Sequence, residues 1–460
     1  MPRWNASSSR QFTSIHVWGW RRETTFVVMT TAETGHFHQL PEQYRFALVD
    51  ANGEPTEQCR NHLRAISMGF HYAAPDEDGY AQYAKDSAGA RLREVREVEP
   101  SGELPGLPIA TLTGYDQTVN TGHGHLESAE FITDVTVRAT HRRRGLLRSL
   151  MTYELDQARQ AGKTFAALTA TEGSIYGRYG FGIATQAMSV EVTKGRNFSL
   201  PHEPAGTIEI VHPGAIDDVR EAVFADFHAS HRGSHGRQRL QLNYAAGRCT
   251  ADHLSTPNPR MRSAVHRDDS GRPDGVVSYE VTEDFGKLLK VHDFVTVNPD
   301  AELALWKFLT SVDLVTKVEA PIVGRSTPLQ WAIKDPYQMR ITGMKNFTWL
   351  RVLDVQRALE VRGWDHAGTV QFRIEDPLGW CDGTWQVEVS EPGAQAAVTR
   401  IDDRDDVASF GIRALGSMYF GLAHAHSLAA AGRVNCTPEQ LLELDRFFDT
   451  FDQAYNITGF

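Results

Sequence analysis

Apolar positions along this chain recur either every second residue or at helical spacing, and the two periods alternate. Residues 44–49 alternate as a strand, and Asn52-Gly53 turns the chain. Leu63, Ile66, Met68 and Phe70 predict a helix over 56–70, and Pro75-Asp76-Glu77-Asp78-Gly79 reads as an acidic loop. Residues 91–99 and 109–113 predict a strand pair leading into another strand over 131–137. From Gly145 the period changes: Leu147, Leu150, Met151, Leu155 and Ala158 fall on one helical face. Residues 164–169 supply a further strand and Gly173 opens a short helical turn. Met188, Val190 and Val192 alternate as the last strand before a linker at Pro201, Pro204 and Gly206. This order predicts an α/β (α+β) fold built around mixed β-sheets.

The pattern then restarts. Residues 208–211 predict a strand, 216–228 a helix, and 264–281 a hairpin around Ser270-Gly-Arg-Pro-Asp-Gly275. Val295-Thr296-Val297 echoes Val135-Thr136-Val137, each followed by a turn and an apolar-striped helix. The second turn has neither the arginines nor the glycine of the first, so a duplicated unit that binds no cofactor is expected. Beyond Asn346 the composition shifts, with a helix predicted over 349–359 and strands over 370–374, 385–389 and 397–401. An apolar helix is predicted over 407–422. Thr437-Pro-Glu-Gln440 is a capping box with proline at the first helical position, launching a helix with Leu441, Leu444, Phe447, Phe448 and Phe451.

Length and charge narrow the function. A chain of 460 residues holds two to four domains, and its formal net charge of -11 argues against nucleic acid or an anionic membrane as the main partner. A cationic small molecule suits that charge. The four cysteines, Cys59, Cys249, Cys381 and Cys436, are far apart and form no CxxC pair, which predicts reduced thiols and a cytoplasmic protein. No apolar run approaches the ~18 residues of a membrane span. Residues 1–28 differ from the rest, with a Ser7–Ser9 run, Trp18, Trp20, Arg21 and Arg22; they read as a disordered extension, with Met29 the natural start.

The chemistry centres on Asp134-Val-Thr-Val-Arg-Ala-Thr-His-Arg-Arg-Arg-Gly-Leu-Leu-Arg148. A strand that runs through an arginine-rich turn into a helix aims free backbone N–H groups at one spot, and the helix dipole favours an anion there. Gly145 lets a phosphate approach the backbone, and Arg142, Arg143, Arg144 and Arg148 add charge-assisted contacts. The alternative is a solvated basic turn. Downstream, four glycines interleave with Tyr176, Tyr179 and Phe181 over residues 170–182. A tyrosine phenol is neutral at pH 7 and can act as general acid to a thiolate, although Tyr176 also fits a core aromatic. The histidine pairs 36/38, 123/125, 228/231 and 424/426 lack a third ligand at suitable spacing, so no metal is expected.

The Arg-x-x-Gly-x-Leu spacing resembles the pyrophosphate-binding signature of the GNAT acetyltransferases. With Val135-Thr-Val137, Arg142–Arg148 and Thr171-Glu-Gly-Ser-Ile-Tyr-Gly-Arg-Tyr-Gly180, the chain resembles the enhanced intracellular survival (Eis) family of aminoglycoside N-acetyltransferases. The resemblance implies tandem GNAT-like domains at 29–203 and 204–345, the second cofactor-free, and a sterol-carrier-like α+β domain at 346–460, assembled as a homohexamer. It implies acetyl-coenzyme A as co-substrate, contacted by Val135, Thr136, Val137, Arg143, Arg144, Gly145, Leu146, Leu147, Arg148, Thr171 and Glu172. Tyr176 would be the proton donor and the C-terminal carboxylate, here that of Phe460, the proton acceptor. The acceptor would be a polyamine-type small molecule entering past Asp76, with several amines open to acetylation. Lysine acetylation of proteins, transfer of longer acyl chains, and lipid carriage by the third domain are the alternatives.

Overall fold

The computed structural model describes residues 40–459, except 101, 103, 105, 195–197, 251–252 and 283–286. The extension at 1–28, Met29, the histidine pair 36/38 and Phe460 lie outside the described residues.

The first part comprises β1 (Tyr44–Val49), α1 (Glu57–Phe70), α2 (Glu77–Asp86), β2 (Arg91–Glu97), β3 (Ala110–Asn120), β4 (Leu126–Val137), α3 (Leu146–Gln160), β5 (Phe165–Thr169), α4 (Gly173–Tyr176), β6 (Gly182–Ile183) and β7 (Gln186–Thr193). Next come β8 (Thr207–Val211), α5 (Asp217–Ser230), α6 (Arg239–Ala245), β9 (Arg262–Arg267), β10 (Pro273–Val281), β11 (Leu288–Thr296), α7 (Pro299–Ser311), β12 (Lys317–Val323), α8 (Leu329–Ala332) and β13 (Met339–Asn346). The last part holds β14 (Thr348–Val352), α9 (Val355–Glu360), β15 (Gly368–Glu375), β16 (Gly383–Val389), β17 (Ala397–Ile401), β18 (Ala408–Gly411), α10 (Ile412–Met418), α11 (Ala425–Ala430), β19 (Val434–Asn435) and α12 (Pro438–Phe448).

Three mixed sheets result, ordered β1-β2-β3-β4-β5-β14-β6, β13-β7-β12-β11-β10-β9-β8 and β17-β16-β15-β18-β19. The first two share a plan. In each, a long strand carrying Val-Thr near its end pairs parallel with the strand after its helix: β4 with β5, and β11 with β12. Two strands trade places between them. β7 pairs with β12 and β13 in the second sheet, while β14 lies between β5 and β6 in the first.

Several expectations needed correction. Residues 349–359 are not one helix: all five residues of β14 are buried, and only Val355–Glu360 is helical, with Asp354 capping it through the Arg357 N–H. Residues 407–422 begin as β18, parallel to β15, before α10 starts. The acidic run at 75–79 is a helix start rather than a loop, because the Asp76 carboxylate accepts the Gly79 N–H at 2.7 Å. The Thr437 capping box forms as the sequence predicts.

The two faces of the first sheet have different covers. Leu146, Leu150, Met151 and Leu155 of α3 pack with Leu112, Ile132 and Leu168 on one side. On the other, Phe131, Phe165, Leu350 and Val352 join Ile412, Leu415, Tyr419 and Phe448 in one core. Helix α10 lies so close to β14 that a Cβ on Gly416 would stand 2.5 Å from the Leu350 carbonyl oxygen. Behind the β-face, Arg91 and Arg93 pair with the buried Glu130 and Glu154. No helix among the described residues is long and apolar enough to cross a membrane.

Candidate active site

Strand β4 is bulged where its chemistry begins. Its register against β3 shifts between Thr113↔Thr133 and Thr111↔Thr136, leaving Asp134 and Val135 as the bulge, and Asp134 adopts φ 54°. The Thr111 hydroxyl fixes the kink by donating to the Asp134 carbonyl at 2.8 Å and lying 2.7 Å from the Thr136 hydroxyl. A Cβ on Gly69 would stand 2.6 Å from the Thr136 side chain, so α1 presses its glycine against the bulge. Pairing between β4 and β5 ends at Ile132 and Leu168. Beyond that point the two strands part, and residues 133–137 face the gap without a strand partner on that side.

The arginine turn sits at the end of this gap. Arg142, Arg143, Arg144, Gly145 and Arg148 are exposed, and Arg143 and Gly145 have φ values of 63° and 81°. Gly145 is the N-cap of α3, and among the described residues no side chain caps that helix and a Cβ on Gly145 would meet nothing within 4 Å. The space over its first turn is therefore open to an incoming phosphate. Arg144 is steadied by the Tyr44 hydroxyl at 2.6 Å and the Thr140 carbonyl at 3.1 Å. Leu146 points into the core and Leu147 is half-buried.

A cavity of about 340 Å³ opens from the gap. Thr133, Asp134 and Val135 line it, with Thr169, Thr171 and Tyr176 across from them. Tyr176 is buried, its ring edge-on to Phe181 at 6.2 Å. Burial, with Tyr179 and Glu172 nearby, pushes its phenol up to about 12, so it carries its proton at neutral pH. Glu172 is exposed at the N-cap of α4, bonded by the Ser174 hydroxyl at 3.3 Å. Asp76 is at the cavity wall, its Oδ1 shared by the Gly79 N–H and the Ser255 hydroxyl, and these bonds hold its carboxyl below the usual range.

The second part closes the cavity through Gln238, Gln241, His253, Leu254 and Ser255. Gln241 also donates to the Gly459 carbonyl at 2.9 Å, which brings the end of the chain to the cavity wall. Upstream, Asn456 is buried and bonds His235 at 2.7 Å and Thr348 at 3.2 Å, while Arg237 bonds the Thr458 hydroxyl at 3.1 Å. Sequence reasoning missed Asp134, Tyr83, Asp86 and these second-part residues. The one signal available was Asp134, a lone carboxylate opening a β-branched run. Of the histidine pairs, 424/426 does meet a third potential ligand, Asp445, with the three ligand atoms within 4.8 Å of one another. There Asp445 bonds both the ring (2.8 Å) and the backbone N–H (3.1 Å) of His426, joining α11 to α12.

Strands that part at a bulge, beside a helix start left open for an anion, define an acetyltransferase of the GNAT class. Residues 90–184 and 237–352 each match a family described as an acetyltransferase (GNAT) domain, and residues 355–455 match the sterol carrier protein domain. An "uncharacterized N-acetyltransferase" of Streptomyces avermitilis is 33% identical over 343 residues, covering 72% of this chain and 80% of its own. The N-acetyltransferase Eis of Mycobacterium tuberculosis is 31% identical over 327 residues, covering 68% and 76%. The crystal structure of Eis1 from Mycobacterium abscessus superposes with a TM-score of 0.73 at 24% identity, over 90% of this chain and all of that one. The chain belongs to the Eis-like N-acetyltransferases. Acetyl-coenzyme A is the co-substrate that this fold implies.

Proposed function

We propose that this enzyme acetylates amines of polycationic small molecules of the aminoglycoside type. The observation that carries the reading is that Tyr176 and the bulged edge Thr133–Val135 line one cavity in which, among the described residues, the Asp, Glu, Lys or Arg side chains are all carboxylates. Asp76, Asp86 and Asp134 line it, with no lysine or arginine among the described residues, so a cationic acceptor suits it.

The open first turn of α3, with Arg143, Arg144 and Arg148 around Gly145, fits the diphosphate of coenzyme A. Val135, Thr136 and Val137 fit its acyl arm by backbone bonding along the free edge of β4, and Thr171 and Glu172 flank that arm. When bound, acetyl-coenzyme A supplies an activated thioester. The backbone N–H groups of the bulge can bond the acyl carbonyl oxygen, and Tyr176 holds a proton on Oη for the departing sulfur. The acceptor nitrogen must also lose a proton. In this reading it passes to the carboxylate of Phe460, a residue outside those described; the anchoring of Gly459 by Gln241 supports that role. Residues appended after Phe460 should therefore abolish turnover, and an active extended enzyme would remove this part of the proposal.

The acceptor class is tested by thiol release from acetyl-coenzyme A with an aminoglycoside panel, a lysine-rich peptide and no acceptor. Release with the peptide alone would favour protein acetylation. A homohexamer also belongs to this reading. Trp331, Tyr337, Ile341 and Met344 are exposed around the edge strand β13 and give self-association an apolar surface, which sedimentation would check.

A further inference from the structure

One end of the cavity is more acidic and less compensated than acyl transfer requires. Asp134 lines it from the bulge, Tyr83 and Asp86 from α2, and Tyr115 from β3. The Asp86 Oδ1 accepts from Gln82 at 2.9 Å and Asn243 at 2.8 Å, but its Oδ2 is buried without a partner. The Tyr83 hydroxyl is buried beside it, with Thr113 as its neighbour. An unsatisfied polar atom such as this Oδ2 is uncommon in native proteins, and it points to a group arriving from outside.

Among the described residues, no cationic side chain pairs directly with either carboxylate. Arg239 and Lys85 lie in the field of Asp86 without forming an ion pair, and no ion pair reaches Asp134 among the described residues. His62 is the basic group beneath Asp134, and both its ring nitrogens are engaged, Nδ1 with Glu94 at 3.0 Å and Nε2 with Thr113 at 3.4 Å. Burial raises the carboxyls of Asp86 and Asp134, and both press on Tyr115 from within the cavity.

We infer that Asp134 and Asp86, with the Tyr83 hydroxyl and the Tyr115 ring, form a subsite for a second, non-reacting ammonium group of the acceptor. A cation there would pair with two carboxylates, bond the orphaned Asp86 Oδ2 and lie beside aromatic rings. The substrates selected are then molecules with at least two amines, one at the reacting centre and one in the subsite. This inference rests on the acetyltransferase reading above, and deepens it.

Binding is measured by calorimetry on the full chain in the presence of coenzyme A, with 1,4-diaminobutane and butylamine as probes. The wild-type protein should prefer the diamine. Asp134→Asn and Asp86→Asn should each shrink that preference by roughly 10- to 100-fold, the range of a charge-assisted bond, and Asp86→Asn, which lies off the bulge, should still take up coenzyme A. Thiol release then shows whether the loss lies in KM, as the subsite requires. Equal affinity for the two probes in wild type, or an undiminished preference in both variants, would overturn the subsite. A fall in kcat at unchanged KM for both probes would also overturn it, placing Asp134 at the reacting nitrogen. Diamine binding without thiol release in wild type would keep the subsite and sink the enzyme reading instead.

Discussion

His228 and His235 are both held neutral inside the protein, and that makes acid a specific perturbation. The fully buried His235 faces the Gly236 carbonyl through Nδ1 at 3.2 Å and accepts from the Asn456 amide through Nε2 at 2.7 Å. His228 bonds Ser234 at 3.0 Å and Thr118 at 2.9 Å. Burial pushes His235 down to about 3 and His228 down to about 4, whereas in an unfolded chain both titrate near 6.5. Between those values the unfolded state binds more protons than the native one. The stability they contribute is thus complete above the unfolded value and drains away as pH falls. Each histidine withdraws about 1.4 kcal/mol per pH unit, so lowering the pH to about 5 removes about 4 kcal/mol through the two together.

Raised buried carboxyls such as Glu130 and Glu302 act in the opposite sense, because the native state takes up their protons as pH falls. The informative quantity is therefore a difference. Urea unfolding of wild type and of a His228→Gln/His235→Gln variant, each at neutral pH and near pH 5, should show wild type losing about 4 kcal/mol more over that interval. The change with pH is read, so a lower baseline stability of the variant does not matter. Ring-carbon NMR of the wild-type chain gives a second reading: two histidine signals should stay neutral at pH 5. Parallel acid losses in the two proteins, or all rings titrating near their ordinary value, would refute the reasoning.

Three further outcomes follow from the site and the core. Tyr176→Phe should lower kcat by about 10²- to 10⁴-fold, the scale of a general acid, with coenzyme A affinity by calorimetry nearly unchanged; undiminished turnover places the acid elsewhere. Gly145→Val forces a β-branched residue into φ 81° at the start of α3. It should weaken coenzyme A binding by about tenfold or more, since left-handed backbone costs about 1–2 kcal/mol and the new side chain fills the open space. Leu350→Ala removes a fully buried side chain from the core shared by β14 and the last part of the chain. Denaturant unfolding should show a loss of about 2–5 kcal/mol, and a loss near zero would mean that this strand is not structurally required.

What could be read from the sequence was local. The arginine turn, the helix it opens, the hairpin around Ser270–Gly275 and the Thr437 capping box each announce themselves within a dozen residues, and each forms. Alternation at Met188, Val190 and Val192 correctly gave a strand, but a period of two does not say which sheet that strand joins. β14 was misread because it is buried on both faces, so its run of Trp349, Leu350 and Val352 has no alternation to separate it from a buried helix. The acidic end of the cavity was hidden for a different reason. Asp134, on the β4 bulge, meets Asp86 and Tyr83 of α2 only across the folded cavity, and neither spacing nor composition encodes that meeting.

The exchange of β7 and β14 makes each of the first two sheets depend on a strand from outside its own stretch of chain. The first sheet stays open between β5 and β6 until Val352 has been synthesised, so the part that emerges first from the ribosome is completed only after the last strand of the second sheet. Genetic cuts at the apparent joints would leave one fragment short of a central strand and another carrying that strand with no sheet to enter. Swapping units between relatives should accordingly succeed only when both crossing segments travel with the sheet they complete.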